Sequence, residues 1–260
     1  MNPEQMKAAD KAIDYMKQHL EEEITTKELA ELTGYSLFHF TRIFKKATGI
    51  SPRHFLSALR IEMGKEELAR KSSLTKAMIA SGYLSPGTFQ TRFKNHVGIS
   101  PKRYEASMEM LQKMMDETKT LLPERMESEA PGSRAKVSCL IQVPPGFRGI
   151  IFAGLFPEPI PDQRPVKGTA FSHNSPQCIF TDIPEGTYYL LAAGLVWSMN
   201  PLRYFQPETF LRGKWEGTVE IKKNTDCKAT VQLREPLPHD PPILINLPLL
   251  LFEKITNKAN

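Results

Sequence analysis

The sequence predicts two domains of different class, an all-α half followed by an all-β half, and three observations predict it. Apolar residues recur at three- and four-residue steps up to about residue 120, then give way to short β-branched and aromatic runs. A stretch of mixed charge with two prolines and a Gly-Ser, "PERMESEAPGSRAK" at 123–136, separates the two textures. Within the first half, "GYSLFHFTRIFKKATGISP" (34–52) returns as "GYLSPGTFQTRFKNHVGISP" (82–101), and nothing after residue 105 repeats it. The expected boundaries are a domain at 1–122, a linker at 123–136 and a domain at 137–260.

Each helix announces itself by period and punctuation. "AADKAIDYMKQHL" (8–20) sets Ala9, Ile13, Tyr15, Met16 and Leu20 near helical spacing and ends at the acidic run Glu21 to Glu23. "TTKELAELTGYS" starts at a Thr25 or Thr26 cap, carries Leu29, Ala30 and Leu32, and stops at Gly34. Ser36 caps the next helix, which closes at Gly49, and Pro52 sits where a first helical turn accepts it. The pattern then recurs as a short helix near 74–81, Gly82, a helix from Ser85 to Val97, Gly98, and a further helix from Pro101. The repeated unit is a short helix, a tight turn and a second helix of about twelve residues, which makes the first domain a tandem helix-turn-helix.

Beyond the linker, eight runs read as strands: "VSCLIQV", "RGIIFAGLF", "VKGTAFSH", "QCIFTDI", "GTYYLLAAGLVW", "GTVEIKKN", "KATVQLREP" and "PILINLPLLLFEK". Short strands at this spacing, separated by Pro, Gly, Asp and Asn, predict a sandwich or a barrel, and an all-β sandwich is the expected fold class. Bulk composition agrees with a soluble globular chain: 40% hydrophobic and 24% charged. The longest apolar runs, "TYYLLAAGLVW" and "INLPLLLF", fall short of the ~18–20 residues a spanning helix needs, so no membrane partner is expected. No secretory signal is visible, and three widely spaced cysteines read as free thiols. The expected location is cytoplasmic.

Net charge is +5, and residues 1–105 alone hold 17 Lys and Arg against 12 Asp and Glu, which suits a polyanionic partner. In a helix-turn-helix the second helix enters the major groove and the first braces it. Phe40, Ile43, Phe44 and Ala47 form the expected core side of the first copy, leaving Phe38, His39, Thr41, Arg42, Lys45 and Lys46 displayed. In the second copy Phe89, Phe93 and Val97 face inward, while Ser85, Gly87, Thr88, Gln90, Thr91 and Lys94 are presented, with Arg92 adjacent. An arginine there suits a bidentate guanine contact, and lysines suit phosphates. A solvated basic face is the bland alternative for a lone copy; the duplication favours double-stranded DNA as the partner.

With those residues in view, residues 8–105 resemble the DNA-binding domain of AraC/XylS-type transcription regulators. The matching stretches are "ELAELTGYS", "RIFKKATGISPRHF", "RIEMGKEELAR" and "SGYLSPGTFQTRFKNHVGISPKRY". The resemblance implies two units reading adjacent major grooves, with Phe38, Thr41 and Arg42 on base-reading positions. Three departures bear on the second unit: Thr91 stands where the family often has arginine, Pro86-Gly87 opens the helix, and Ala77-Met78 replaces an Ile-Ala crossing. The first unit is therefore expected to carry most base readout, with Gln90 and Thr91 helping.

The β half resembles transthyretin-like and carboxypeptidase-regulatory-like sandwiches more faintly, through "FTDIPEGTYYLLA" (180–192). Its candidate ligand site is the irregular segment 197–215, with Trp197, Met199, Arg203, Tyr204, Phe205, Arg212 and Trp215. That segment either packs over a sheet end, senses a small-molecule effector, or meets another subunit or protein. A homodimer and, for an activator, RNA polymerase are the further expected partners. No cofactor, metal site or catalytic residue is expected. Cys139, Cys178 and Cys227 lack an adjacent histidine, His173 and His239 are scattered, and no G-x-S-x-G, phosphate loop or His-Glu-x-x-His occurs. The rival reading is a non-DNA adaptor with a dimerising or ligand-binding β module.

Overall fold

The structure, a computed structural model, describes residues 1–117, 135–198 and 200–250. Most of the expected linker, 123–134, lies outside the described residues; Lys136 already belongs to the first strand. Among the described residues seven helices come first: α1 Pro3–Gln18, α2 Thr26–Thr33, α3 Leu37–Thr48, α4 Pro52–Ala69, α5 Leu74–Ala80, α6 Pro86–Val97 and α7 Pro101–Glu117. Side-chain oxygens explain where they begin. Asn2, Ser36, Ser51, Ser73, Ser85 and Ser100 each accept from the backbone N–H three residues on, at 2.8–3.4 Å. Thr25 and Glu28 form a reciprocal capping box.

The repeat is visible atom by atom. Tyr35 N donates to Ala30 O and Gly34 N to Glu31 O; Tyr83 N donates to Met78 O and Gly82 N to Ile79 O. These are the same helix-ending hydrogen bonds twice, each with glycine left-handed at φ 75° and 68°. Offset by 49 positions, Phe40, Phe44 and Phe55 correspond to Phe89, Phe93 and Tyr104, and successive rings in both sets lie 5.4–5.6 Å apart. The second turn is one residue longer, and that extra residue, Leu84, is fully exposed.

Helix α4 is the common support. Phe55 packs on Phe44 of α3, and an added Cβ at Gly64 would meet the Phe89 ring of α6 at 2.9 Å. The Arg60 guanidinium donates to Leu20 O at 3.0 Å and to Glu22 O at 2.6 Å, tying α4 to the chain after α1. At the far end, Glu67 accepts from Ser72 Oγ at 2.7 Å and from Arg70 Nη1 at 2.9 Å, with Lys76 of α5 at 3.2 Å. Ser72 foremost, then the two cations, hold this buried carboxyl below the usual range against the desolvation that raises it.

The chain divides into two compact units, one of residues 1–108 with 237–245, the other of 109–236 with the chain from Asn246. In the second unit, β1 Lys136–Gln142 lies between β4 Gln177–Thr181, antiparallel, and β8 Asp226–Gln232, parallel. A second sheet runs β3 Lys167–Ser172, β2 Gly149–Phe156, β5 Gly186–Val196, β6 Leu211–Lys214, with β7 Val219–Ile221 also on β5. Alternate residues of both sheets share one core, including Val137, Cys139 and Ile141 of β1, Ile151, Ala153 and Leu155 of β2, and Ala229 and Val231 of β8. The remaining face of β2, with Ile150, Phe152 and Phe156, is buried as well. At the Pro-Glu-Gly turn, Tyr188 Oη donates back to Pro184 O at 3.1 Å, pinning the start of β5.

Two strand expectations need correction. The run beginning at Pro242 forms no strand over its described residues 242–250. Pro242 and Pro248 lack ladder donors, and the Ile243 carbonyl is taken by the Lys65 side chain instead. Conversely, β6 arises inside the segment read as irregular, because Leu191 to Gly194 of β5 offer it a register.

Candidate nucleic-acid interface

The surfaces of α3 and α6 are made by what those helices exclude. Neither contains an Asp or Glu, so their basic residues face no acid on their own helix. Three acids of the neighbouring helices pair with cations outside α3 and α6: Glu31 with Lys27, and Glu66 and Glu67 with Arg70 and Lys76. Arg42, Lys45, Lys46 and Lys94 are all exposed, and none has an ion-pair partner among the described residues. Gln90, Thr91 and Arg92 are exposed on α6. Burial pushes the Tyr83 phenol upward, opposed by a hydrogen bond from Ser57 and by the charges of Arg60 and Arg92, so Arg92 lies within reach of the second turn.

On α3, Phe38 stands 81% exposed and Leu37 51%. A phenyl ring left in water forgoes the area it could bury, and this one stands one helical turn from the exposed Arg42. Four other predicted residues turn out to be partly committed. His39 is half-buried and packs edge-on against Tyr35 at 5.0 Å. Thr41 Oγ1 donates to Leu37 O at 2.8 Å, which leaves its methyl and lone pairs to face outward. Ser85 Oγ donates to Thr88 Oγ1 at 2.9 Å while accepting from Thr88 N, so this pair caps α6. Sequence reading missed the exposed Leu84 and Ile79 beside the second copy; the single-residue difference in turn length was the available signal.

The candidate ligand segment is used largely to hold itself. Met199 lies outside the described residues. Trp197 and Arg203 are exposed, whereas Tyr204 and Phe205 are buried and Arg212 and Trp215 half-buried. Tyr204 Oη donates to Ser198 O at 3.0 Å and accepts from Ser198 N at 3.2 Å. Arg212 Nη2 donates to Pro207 O at 3.3 Å, and Trp215 packs against the shared core.

The cysteines, dispersed in sequence, meet on the three-stranded sheet: Cys139 is opposite Cys178, and Cys227 is opposite Val137. Burial pushes the Cys227 thiol up, and the Asp226 carboxylate and Cys139 add to it. An activated nucleophile needs the opposite shift.

Residues 29–107 match the family described as "Helix-turn-helix domain". The uncharacterized HTH-type transcriptional regulator YobQ of Bacillus subtilis is 34% identical over 98 residues, covering 37% of this chain and 41% of that protein. An uncharacterized HTH-type transcriptional regulator of Staphylococcus aureus is 32% identical over 92 residues, 35% of this chain and 12% of its own length. The chain therefore spans less than half the length of these curated relatives. Among solved structures, a transcriptional regulator with an AraC-type DNA-binding domain from Chromobacterium violaceum aligns with 25% identity and a TM-score of 0.38, over 41% of this chain and 96% of that one.

Proposed function

Residues 29–107 being a helix-turn-helix domain of the AraC/XylS type, we propose that this chain is a sequence-specific transcription regulator that binds double-stranded DNA. Its two helix-turn-helix copies read adjacent major-groove segments, α3 supplying most base contacts and α6 mainly phosphate contacts and orientation. The observation that carries this reading is the pair of acid-free helices whose exposed cations have no ion-pair partner among the described residues, each set on the same glycine turn and serine cap. Arg42 meets a guanine edge and Phe38 a thymine methyl, while Lys45, Lys46 and Lys94 meet phosphates. Gln90, Thr91 and Arg92 supply the weaker contacts of the second segment, and His39 and Thr41 shape the first. The core shared by the two sheets supports a sandwich in the second unit. That unit modulates DNA binding through an effector, a second copy of the chain or RNA polymerase.

The test selects a duplex from a random library with the full chain, then measures binding to it by fluorescence anisotropy at two salt concentrations. The expected result is discrimination of the selected duplex from a scrambled one, affinity falling steeply with salt, and loss of discrimination on Arg42→Ala. Equal binding to selected and scrambled duplex at both salt concentrations would sink the reading.

A further inference from the structure

The helical unit is not built from the helices alone: Leu237–Ile245, which follow β8 and four intervening residues, group with it. Ile243, Leu244 and Ile245 are all buried, Leu244 completely. Lys65 of α4 is itself buried, and its ammonium donates to Ile243 O at 2.8 Å. An ammonium taken out of water is costly unless it finds acceptors, so this lysine belongs where a carbonyl reliably arrives. A side chain fixed on a backbone carbonyl recognises a segment as main chain; the apolar residues beside it set the register. On α1, Asp10 Oδ1 lies 3.2 Å from Nδ1 of His239, a second point of attachment. Prolines 238, 241 and 242 reduce both the freedom lost on seating and the number of N–H groups needing partners.

The anchor is placed on the helix that spaces the two repeat copies. Lys65 follows Gly64, where an added Cβ would meet the Phe89 ring of α6, while Phe55 of the same helix supports Phe44 of α3. With the segment seated, Phe38, Arg42, Lys45, Lys46 and Lys94 stay exposed. The structure assigns 237–245 the role of an internal peptide ligand of the helical unit, a strap across α1 and α4 that holds α4 in its spacing position. Through the chain after β8, events in the β unit seat or release the strap and so raise or lower DNA affinity. This rests on the DNA-binding reading above.

The test uses the full chain, Leu244→Ser and Lys65→Met, with amide exchange at Ile243, Leu244 and Ile245 reporting seating and anisotropy on the selected duplex reporting affinity. Both variants are expected to lose protection at those amides and to bind DNA at least tenfold more weakly. A synthetic peptide of residues 237–247 added to Leu244→Ser is expected to restore affinity, which a misfolded domain would not allow. Unchanged or tighter DNA binding by a chain whose strap amides exchange freely would overturn the proposal, as would free exchange of those amides in the parent. A parent that selects no duplex removes the DNA-binding reading, and the coupling with it, while protected strap amides would still establish the docking.

Discussion

Gly34 and Gly82 occupy the same place in the two repeat copies, yet they are expected to tolerate alanine very differently. Both are left-handed, at φ 75° and 68°, so alanine pays about 1–2 kcal/mol at either site for its backbone conformation. At Gly34 a Cβ meets nothing within 4 Å, and conformational strain is the whole expected cost. At Gly82 it would stand 2.1 Å from Leu20 O and 3.2 Å from Arg60 Nε. That carbonyl is backbone and must shift by more than an ångström. The shift breaks its charge-assisted bond from Arg60, worth roughly 1.5–3 kcal/mol. Gly82→Ala should therefore cost about 2.5–5 kcal/mol and exceed Gly34→Ala by about 1.5–3 kcal/mol. Urea unfolding followed by far-ultraviolet circular dichroism measures the difference as a shift in midpoint at constant m. Arg60→Met in the Gly82→Ala background should then add less than it does alone, because its bond is already lost. Equal losses at the two glycines would refute the argument, since they share conformation and differ only in the approach of Leu20.

Removing Arg42 (Arg42→Ala) should cost about 1–3 kcal/mol of discrimination between selected and single-base-substituted duplexes, more than Gln90→Ala or Thr91→Ala; the reverse order would move base readout to the second copy. Lys45→Ala should weaken binding to all duplexes alike and reduce the slope of log affinity against log salt by about 0.9, measured by anisotropy across a salt series. Glu67→Gln tests the carboxylate joining α4 to α5. Its folded pKa lies below the ordinary 4.5, so the stability it adds is complete above that value and vanishes as pH falls through the folded one. The parent should exceed the variant by roughly 2 kcal/mol at pH 7, and thermal melts of the two should converge as pH falls through the lowered folded pKa of Glu67. A gap that persists in acid would assign the loss to packing.

How much of this could be read from the chain depends on how far each decision reaches along it. Helix ends were legible because a serine caps an N–H three residues away and a glycine adopts a conformation its neighbours avoid. The repeat was legible because Phe40, Phe44 and Phe55 keep their spacing in Phe89, Phe93 and Tyr104. Strand β6 was not: four residues with no period of their own pair only because Leu191 to Gly194 lie open beside them. The stretch from Pro242 looked like a strand for the opposite reason, its β-branched and apolar residues being those of any buried extended segment.

By itself the sequence determined the class of each half, the caps of α2 and α3, the glycine turns after α2, α3, α5 and α6, and which face of α3 and α6 is apolar, since all of these follow from interactions within a few residues. The start of α1 at Asn2, six residues before the expected one, was not read. Only the tertiary structure decided that Lys65 would be buried against a carbonyl 178 positions away, that three distant cysteines would share one sheet, and that Tyr204 and Arg212 would be used in holding their own loop. Those outcomes depend on which buried polar group meets which partner across the fold, and no local pattern records that choice.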